Sequence, residues 1–279
     1  MADKRLSSLD AFRGLTIAGM ILVNNPGSWK HVYAPLRHAE WHGWTPTDLV
    51  FPFFLFIVGV SISLSLSKRM EQGIKKNELY LKTMKRTVIL FGLGIFLALF
   101  PHFNFVTIRI PGVLQRIALC YLFSSLLFLK TGTKGRCMAS FSFLAIYWLM
   151  MKLVPVPGYG PGILAYEGNL CAYIDSHLLA GHLYKPGFDP EGILSTLPAI
   201  ATTLLGTLTG DWLRSSKIIL HKTIGILIGG LFFTLSGLML HPLFPPQQAA
   251  LDKHLCALYS RSCIAFLGIL LWNDRRNED

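Results

Sequence analysis

The densest chemistry in the chain lies in His38-Ala39-Glu40-Trp41-His42-Gly43-Trp44-Thr45-Pro46-Thr47-Asp48, which runs straight into the apolar stretch from Leu49 to Ser67. Imidazole exchanges protons near neutral pH, and a nearby carboxylate can orient the ring. Titratable groups at the start of a hydrocarbon segment are costly to keep unless they are used, so this stretch reads as the working part of a membrane enzyme. His38 and His42 are four residues apart and would stack on one helix face, as half of a metal site does. No third ligand pattern accompanies them and prolines flank the stretch, so no metal is expected. Trp29, Trp41 and Trp44 read as residues of a membrane-interface belt.

Other polar residues carry two readings each. Asp10 and Arg13 in RLSSLDAFRG share a helix face, either as an interfacial ion pair or as part of an anion site; Ser8 or Asp10 can equally cap the helix start. Asn24 and Asn25 close the first apolar run, where a carboxamide ends a helix or bonds a substrate amide. Arg109, Gln115 and Arg116 in IRIPGVLQRI stand at the outer end of the fourth helix, as snorkelling anchors or as phosphate ligands. In FDPEGIL, Asp189 reads as an N-cap with Pro190 at the first helical position and Glu191 in the first turn. Five cysteines form no CxxC pair, so neither a disulfide framework nor a structural zinc is expected.

The elements that must hold these residues are helices in lipid. Of 279 residues 52% are hydrophobic and 15% charged, and the mean hydropathy is +0.47. Apolar runs recur at Gly14 to Asn25, Leu49 to Ser67, Thr87 to Phe100, Val113 to Leu129, Met138 to Val154, Ile193 to Leu213, Ile218 to Leu240 and Cys263 to Trp272. With no two-residue alternation and every backbone group needing an internal partner, the expected fold is an all-α, polytopic transmembrane bundle of about eight spans. Its cations alternate by loop. They crowd Lys4 and Arg5, the Lys68 to Arg86 connection, the Lys130 to Arg136 connection, Arg214 to Lys222 and Arg275 with Arg276. By the positive-inside rule the N-terminus is cytoplasmic and the His38 loop faces outward, with the chain in a cell (inner) membrane. The formal charge of +11 is therefore topology, and nucleic acid is not an expected partner. Two long loops on the outer side, Asn25 to Thr47 and Pro155 to Gly192, are placed to cover one cavity.

In order, RLSSLDAFRG, VNN, RHAEWHGWTPTDLVFPFFLFIVG, IRIPGVLQRIAL, VPVPGYGPG and YKPGFDPEGILSTLPAI resemble the heparan-alpha-glucosaminide N-acetyltransferase family of multi-pass membrane acyltransferases, over roughly residues 5 to 245. That resemblance implies an enzyme moving acetyl from cytoplasmic acetyl-CoA to an amino sugar or glycan on the far side of the bilayer, with acetyl-CoA as co-substrate and no permanently bound cofactor. The family's catalytic histidine matches His38 and its active-site asparagine matches Asn24. Acyl transfer to an amine needs a base and an oxyanion donor, which suits that pair, with Asp48 orienting the imidazole. Direct transfer and an acetyl-histidine route both remain open. Arg13, Arg109, Gln115 and Arg116 are candidates for coenzyme A phosphates or the sugar. Homo-oligomerisation is compatible with the reading. A transporter would show paired short spans in two halves, and none is seen; an O-acyltransferase of envelope polysaccharide would use similar base chemistry. Residues 1–245 are expected to form the acyltransferase domain, incomplete relative to the family. Residues 246–279 are expected to be a divergent tail that an out-of-frame reading would explain, and such a truncation would put activity at risk.

Overall fold

The computed structural model describes residues 7–38, 45–100, 103–185 and 187–239; the eighth expected span, Cys263 to Trp272, and the tail from 246 lie outside them, as does His42. Among the described residues the architecture is all-helical: α1 Ser7–Asn24, α2 Pro46–Glu71, α3 Lys76–Leu99, α4 Val113–Lys130, α5 Thr133–Leu153, α6 Leu170–Leu178, α7 Thr196–Arg214 and α8 Ile219–Met239. Two of them, α2 and α4, are long and apolar enough to cross a bilayer by length and composition, which with the hydropathy of the whole chain marks a membrane protein. The short α6 was not expected from the sequence. It is started by Asn169, whose buried side-chain oxygen accepts the Cys171 N–H at 2.7 Å.

Two compact units divide the chain, one of residues 1–57 with 212–279 and one of residues 58–211. In the first, α1 packs on the start of α2 through Phe12 and Phe53, ring centroids 6.2 Å apart. At the corner between α7 and α8, the Trp212 indole donates to the Lys222 carbonyl at 3.0 Å while the Lys222 ammonium caps the Leu213 carbonyl at 2.7 Å.

In the second unit α2 and α7 meet along small residues. A Cβ on Gly59 would lie 2.0 Å from the Thr203 carbonyl oxygen, and one on Gly210 would lie 2.6 Å from Cβ of Ser63. Backbones this close need glycine or serine at the seam, the usual solution where lipid supplies no hydrophobic drive between helices. The seam helix α7 is rich in threonine, yet Thr202, Thr203 and Thr209 return their hydroxyls to carbonyls four residues back, so no polar group is stranded there. Helices α3 and α4 approach through Gly94, whose missing Cβ leaves room for the buried Gln115 side chain. At the far end, Ile62, Leu66, Leu79, Phe128 and Leu129 join α2, α3 and α4 in one apolar cluster.

Arg136, which the sequence groups with the loop cations, is instead buried. It donates to Asp211 at 2.5 Å and lies over the Phe128 ring at 4.3 Å, while Ser63 donates to the second Asp211 oxygen at 2.7 Å. One carboxylate thus ties α2, α5 and α7 together.

Gly59→Ala is expected to lower stability by about 1–3 kcal/mol, because the clash is with backbone and cannot be relieved by a rotamer change. Gly14→Ala, with nothing within 4 Å of its Cβ, is the control that should be neutral or mildly stabilising. Melting temperatures in one detergent compare the two; equal melting of G59A and wild type would contradict the close approach.

Candidate active site

The chain between α1 and α2 is pinned to the start of α2 by side-chain bonds. Arg37 Nε donates to the Val32 carbonyl at 2.9 Å, Thr47 Oγ1 to the Pro35 carbonyl at 3.2 Å and Thr45 Oγ1 to the Arg37 carbonyl at 2.6 Å. Pro46 opens α2, so Thr45 is the cap and Asp48 the third helical residue. Asp48 Oδ2 accepts the Thr45 N–H at 2.9 Å and the Thr45 hydroxyl at 3.1 Å, which is the carboxylate half of a capping box. The other oxygen, Oδ1, lies 2.7 Å from His38 Nδ1. Asp48 is 10% exposed and His38 46% exposed, so the carboxylate is sheltered while the imidazole is accessible. With Nδ1–H directed at Asp48, the neutral ring carries its lone pair on Nε2.

Asn24 is the last residue of α1, in the same unit as His38 and exposed. Its neighbour Asn25 donates to the Ile21 carbonyl at 2.8 Å and so closes the helix end, as the capping reading expects. Arg13 lies 3.5 Å from Asp10, three residues away, with 40% of its side chain exposed.

The remaining expected residues sit in the second unit. Arg109 grips Asp189 in a two-pronged pair, Nε to Oδ2 at 2.8 Å and Nη2 to Oδ1 at 2.6 Å, and also bonds Glu191. Asp189 further accepts the backbone N–H groups of Tyr184 at 2.8 Å and Glu191 at 2.9 Å. Those donors, rather than a helix start, use the carboxylate that the sequence marks as an N-cap, and α7 begins only at Thr196. Arg116 is buried and spans the same loop, donating to the Pro190 and Gly192 carbonyls and to Ser195 Oγ. Gln115 is buried against Gly94 and Gly112. His182 completes the clasp, with Nδ1 2.7 Å from the Ile108 carbonyl oxygen and its own carbonyl accepting from Ile110 N at 3.1 Å.

A residue that sequence reasoning missed lies beneath this clasp. Asp175 of α6 is fully buried; Oδ1 accepts the Ile193 N–H at 2.9 Å, while Oδ2 has no hydrogen-bond partner among the described residues and lies against Gly192. Burial raises its carboxyl from 3.8 to about 6, against the pull of the Ile193 bond; Asp189 adds to the rise and Arg116 opposes it. Burial likewise raises Glu191, opposed by Arg116 and Arg109. No spacing signal marks Asp175, one of four acids in the glycine- and proline-rich stretch from Pro155 to Gly192.

Comparison with known proteins identifies the lineage. A family model described as heparan-alpha-glucosaminide N-acetyltransferase, catalytic, matches residues 5–223. The heparan-alpha-glucosaminide N-acetyltransferase of Homo sapiens is 33% identical over 283 residues, 81% of this chain and 42% of that protein. That of Mus musculus is 32% identical over 256 residues, covering 74% and 38%. The chain belongs to the heparan-alpha-glucosaminide N-acetyltransferase family. It spans about two fifths of the length of these relatives. The matched region of this heparan-alpha-glucosaminide N-acetyltransferase family member takes in His38, Asp48 and the whole Arg109 clasp.

The Asp175 shift makes a stability prediction. A carboxyl whose folded value is raised holds its proton more tightly when folded, so its contribution is fully present below about pH 4 and is lost as pH rises through about 6. Two units correspond to about 3 kcal/mol. Asp175→Asn should flatten the fall in melting temperature between pH 4 and pH 7 that wild type shows, leaving the slope of the same sign that Glu191 contributes. Parallel slopes in the two proteins would overturn the assignment.

Proposed function

We propose that this family member is a multi-pass acetyltransferase that takes acetyl from cytoplasmic acetyl-CoA and delivers it to a glucosamine-type amino sugar on the extracytoplasmic side of a cell membrane. The observation that supports this reading is the 2.7 Å contact between His38 Nδ1 and Asp48 Oδ1, at the histidine that the resemblance matches to the family's catalytic one. A thioester is already activated, so the enzyme has to supply a base for the amine proton and a donor for the oxyanion. In the direct route His38 Nε2 takes the amine proton as the amine nitrogen bonds to the acetyl carbonyl. The tetrahedral adduct then collapses, the C–S bond breaks, and the imidazolium returns the proton to the departing coenzyme A thiolate. In the two-step route Nε2 itself attacks the thioester, the thiolate leaves, and the amine then displaces the imidazole, losing its proton to solvent. Both routes need the lone pair on Nε2, which is what the Asp48 bond favours.

Asn24, with an exposed carboxamide at the end of α1, is the proposed oxyanion donor. Of the residues read as coenzyme A ligands, Arg13 is the accessible one and the strongest choice for a phosphate. The guanidinium groups of Arg109 and Arg116 are engaged with loop carboxylates and carbonyls, and Gln115 is buried, so we assign these three to shaping the loop before α7.

Membranes containing the chain are expected to move label from acetyl-CoA to glucosamine in preference to glucose. His38→Ala should fall to background. Asp48→Asn should lose at least about tenfold in kcat, because an amide can present the wrong hydrogen-bonding partner to Nδ1. Because Asp48 also caps α2, the melting temperature of D48N is measured beside its rate, and a rate loss at unchanged melting marks ring orientation. Undiminished transfer by H38A, or no transfer by the wild-type chain, would overturn the proposal.

A further inference from the structure

Helix α3 is built in two halves that do not match a simple membrane span. Residues 87–99 are apolar but would cover only about 20 Å, well short of about 30 Å of hydrocarbon. The preceding three turns, residues 76–86, carry Lys82, Lys85 and Arg86, all exposed. Leu79, Thr83, Thr87 and Gly94 form the buried face of the helix, so the unit's core lies on that side. On the outer side Leu81 is 72% exposed, Met84 47% and Val88 62%, an apolar stripe at helical spacing that runs through the charged half. The apolar cluster of Ile62, Leu66, Leu79, Phe128 and Leu129 brings the end of α2 and the end of α4 to this same place, adding the exposed Lys68, Lys130 and Lys134. Glu71 at the end of α2 and Glu78 in the first turn of α3 are the acidic residues there.

We propose that the first three turns of α3 lie in the headgroup layer and bind anionic phospholipid, with Leu81, Met84 and Val88 at the acyl boundary and Lys82, Lys85 and Arg86 on the lipid phosphates. The inference rests on the reading that α3 enters the membrane. A soluble anion would satisfy the cations but would leave the apolar stripe in water, whereas a lipid answers both, since long basic side chains reach outward from apolar surroundings to the phosphate plane. The apolar deficit of α3 is then met by its own interfacial half rather than by thinning of the bilayer.

The test uses the full chain in an uncharged detergent, adding phosphatidylglycerol or phosphatidylcholine and following the melting temperature. Wild type should melt several degrees higher with the anionic lipid, and about 0.5 M salt should remove much of that difference. Lys82→Gln/Lys85→Gln/Arg86→Gln should abolish it while melting like wild type in phosphatidylcholine. Leu81→Ser/Met84→Ser should weaken it while leaving its salt dependence. Equal responses of wild type to the two lipids, a full response in the triple variant, or reproduction of the effect by inorganic phosphate or coenzyme A would overturn the proposal. If instead the chain stays in solution once detergent is removed, the membrane reading itself fails, a result distinct from any lipid preference.

Discussion

A charge placed where water is scarce has to find its counter-charge inside the protein, and that constraint organises the sheltered carboxylates Asp189, Asp211 and Asp48. Asp189 receives a two-pronged guanidinium and two backbone N–H groups. Asp211 receives Arg136 and two hydroxyls, from Ser63 and Thr133. Asp48 receives a backbone N–H, a hydroxyl and a histidine. In each case one carboxylate joins segments distant along the chain or fixes where a helix begins. Their environments then separate their uses. Asp189 is fully enclosed and its partner is a permanent cation, so the pair is suited to holding a loop. The Asp48 partner is an accessible imidazole, the one cationic side chain whose charge can change during a reaction near neutral pH.

Asp48 is economical in a second sense. The oxygen that closes the N-terminus of α2 is fixed by the helix itself, so the other oxygen has its position set before any substrate arrives. A ring held by a helix cap loses little orientational freedom on binding, whereas the same carboxylate on a loose loop would first have to be ordered. Two bonds that tie residues 35–37 to residues 45–47, with a third inside the loop from Arg37 to Val32, do the complementary task, delivering His38 to that oxygen.

Most of the helices were readable because apolar runs are long and their ends carry ordinary signals, but their limits depended on chemistry that hydropathy does not register. Thr87 looked like the beginning of α3, yet the helix starts at Lys76, since Leu79 and Thr83 face the core while Lys82, Lys85 and Arg86 point away. Asp189-Pro190 looked like the start of α7, but Arg109, eighty residues earlier, takes the carboxylate and the helix is delayed to Thr196. A partner that distant leaves no local trace. The α6 helix is nine residues long inside a loop rich in proline and glycine, below the length at which periodicity is visible. By contrast the Asp48 tie was expected, with Asp48 as the group that orients the imidazole, although the capped helix start at Thr45-Pro46-Thr47-Asp48 that fixes it was not read. That the acid meets His38 was what the family resemblance implied, since along the chain alone His38 and His42 both lie within reach.

Arg116 and Gln115 are adjacent in the first turn of α4, and their different surroundings explain why residue type alone misleads about anion binding. Gln115 fills the space two glycines leave, a packing task in which a neutral carboxamide costs less to bury than a charge. Arg116 turns toward carbonyls of the Pro190–Gly192 turn, where its positive charge offsets the carboxylates gathered around them. Beside these lie the buried Asp175 and the partly buried Glu191, both held toward their protonated forms. Removing Arg116 to make room for an external phosphate would take away the cation that favours the ionised form of both acids, leaving Arg109 on Glu191 and none on Asp175. The local balance therefore binds this guanidinium to the loop, and a phosphate ligand is better sought where an arginine is accessible, as Arg13 is.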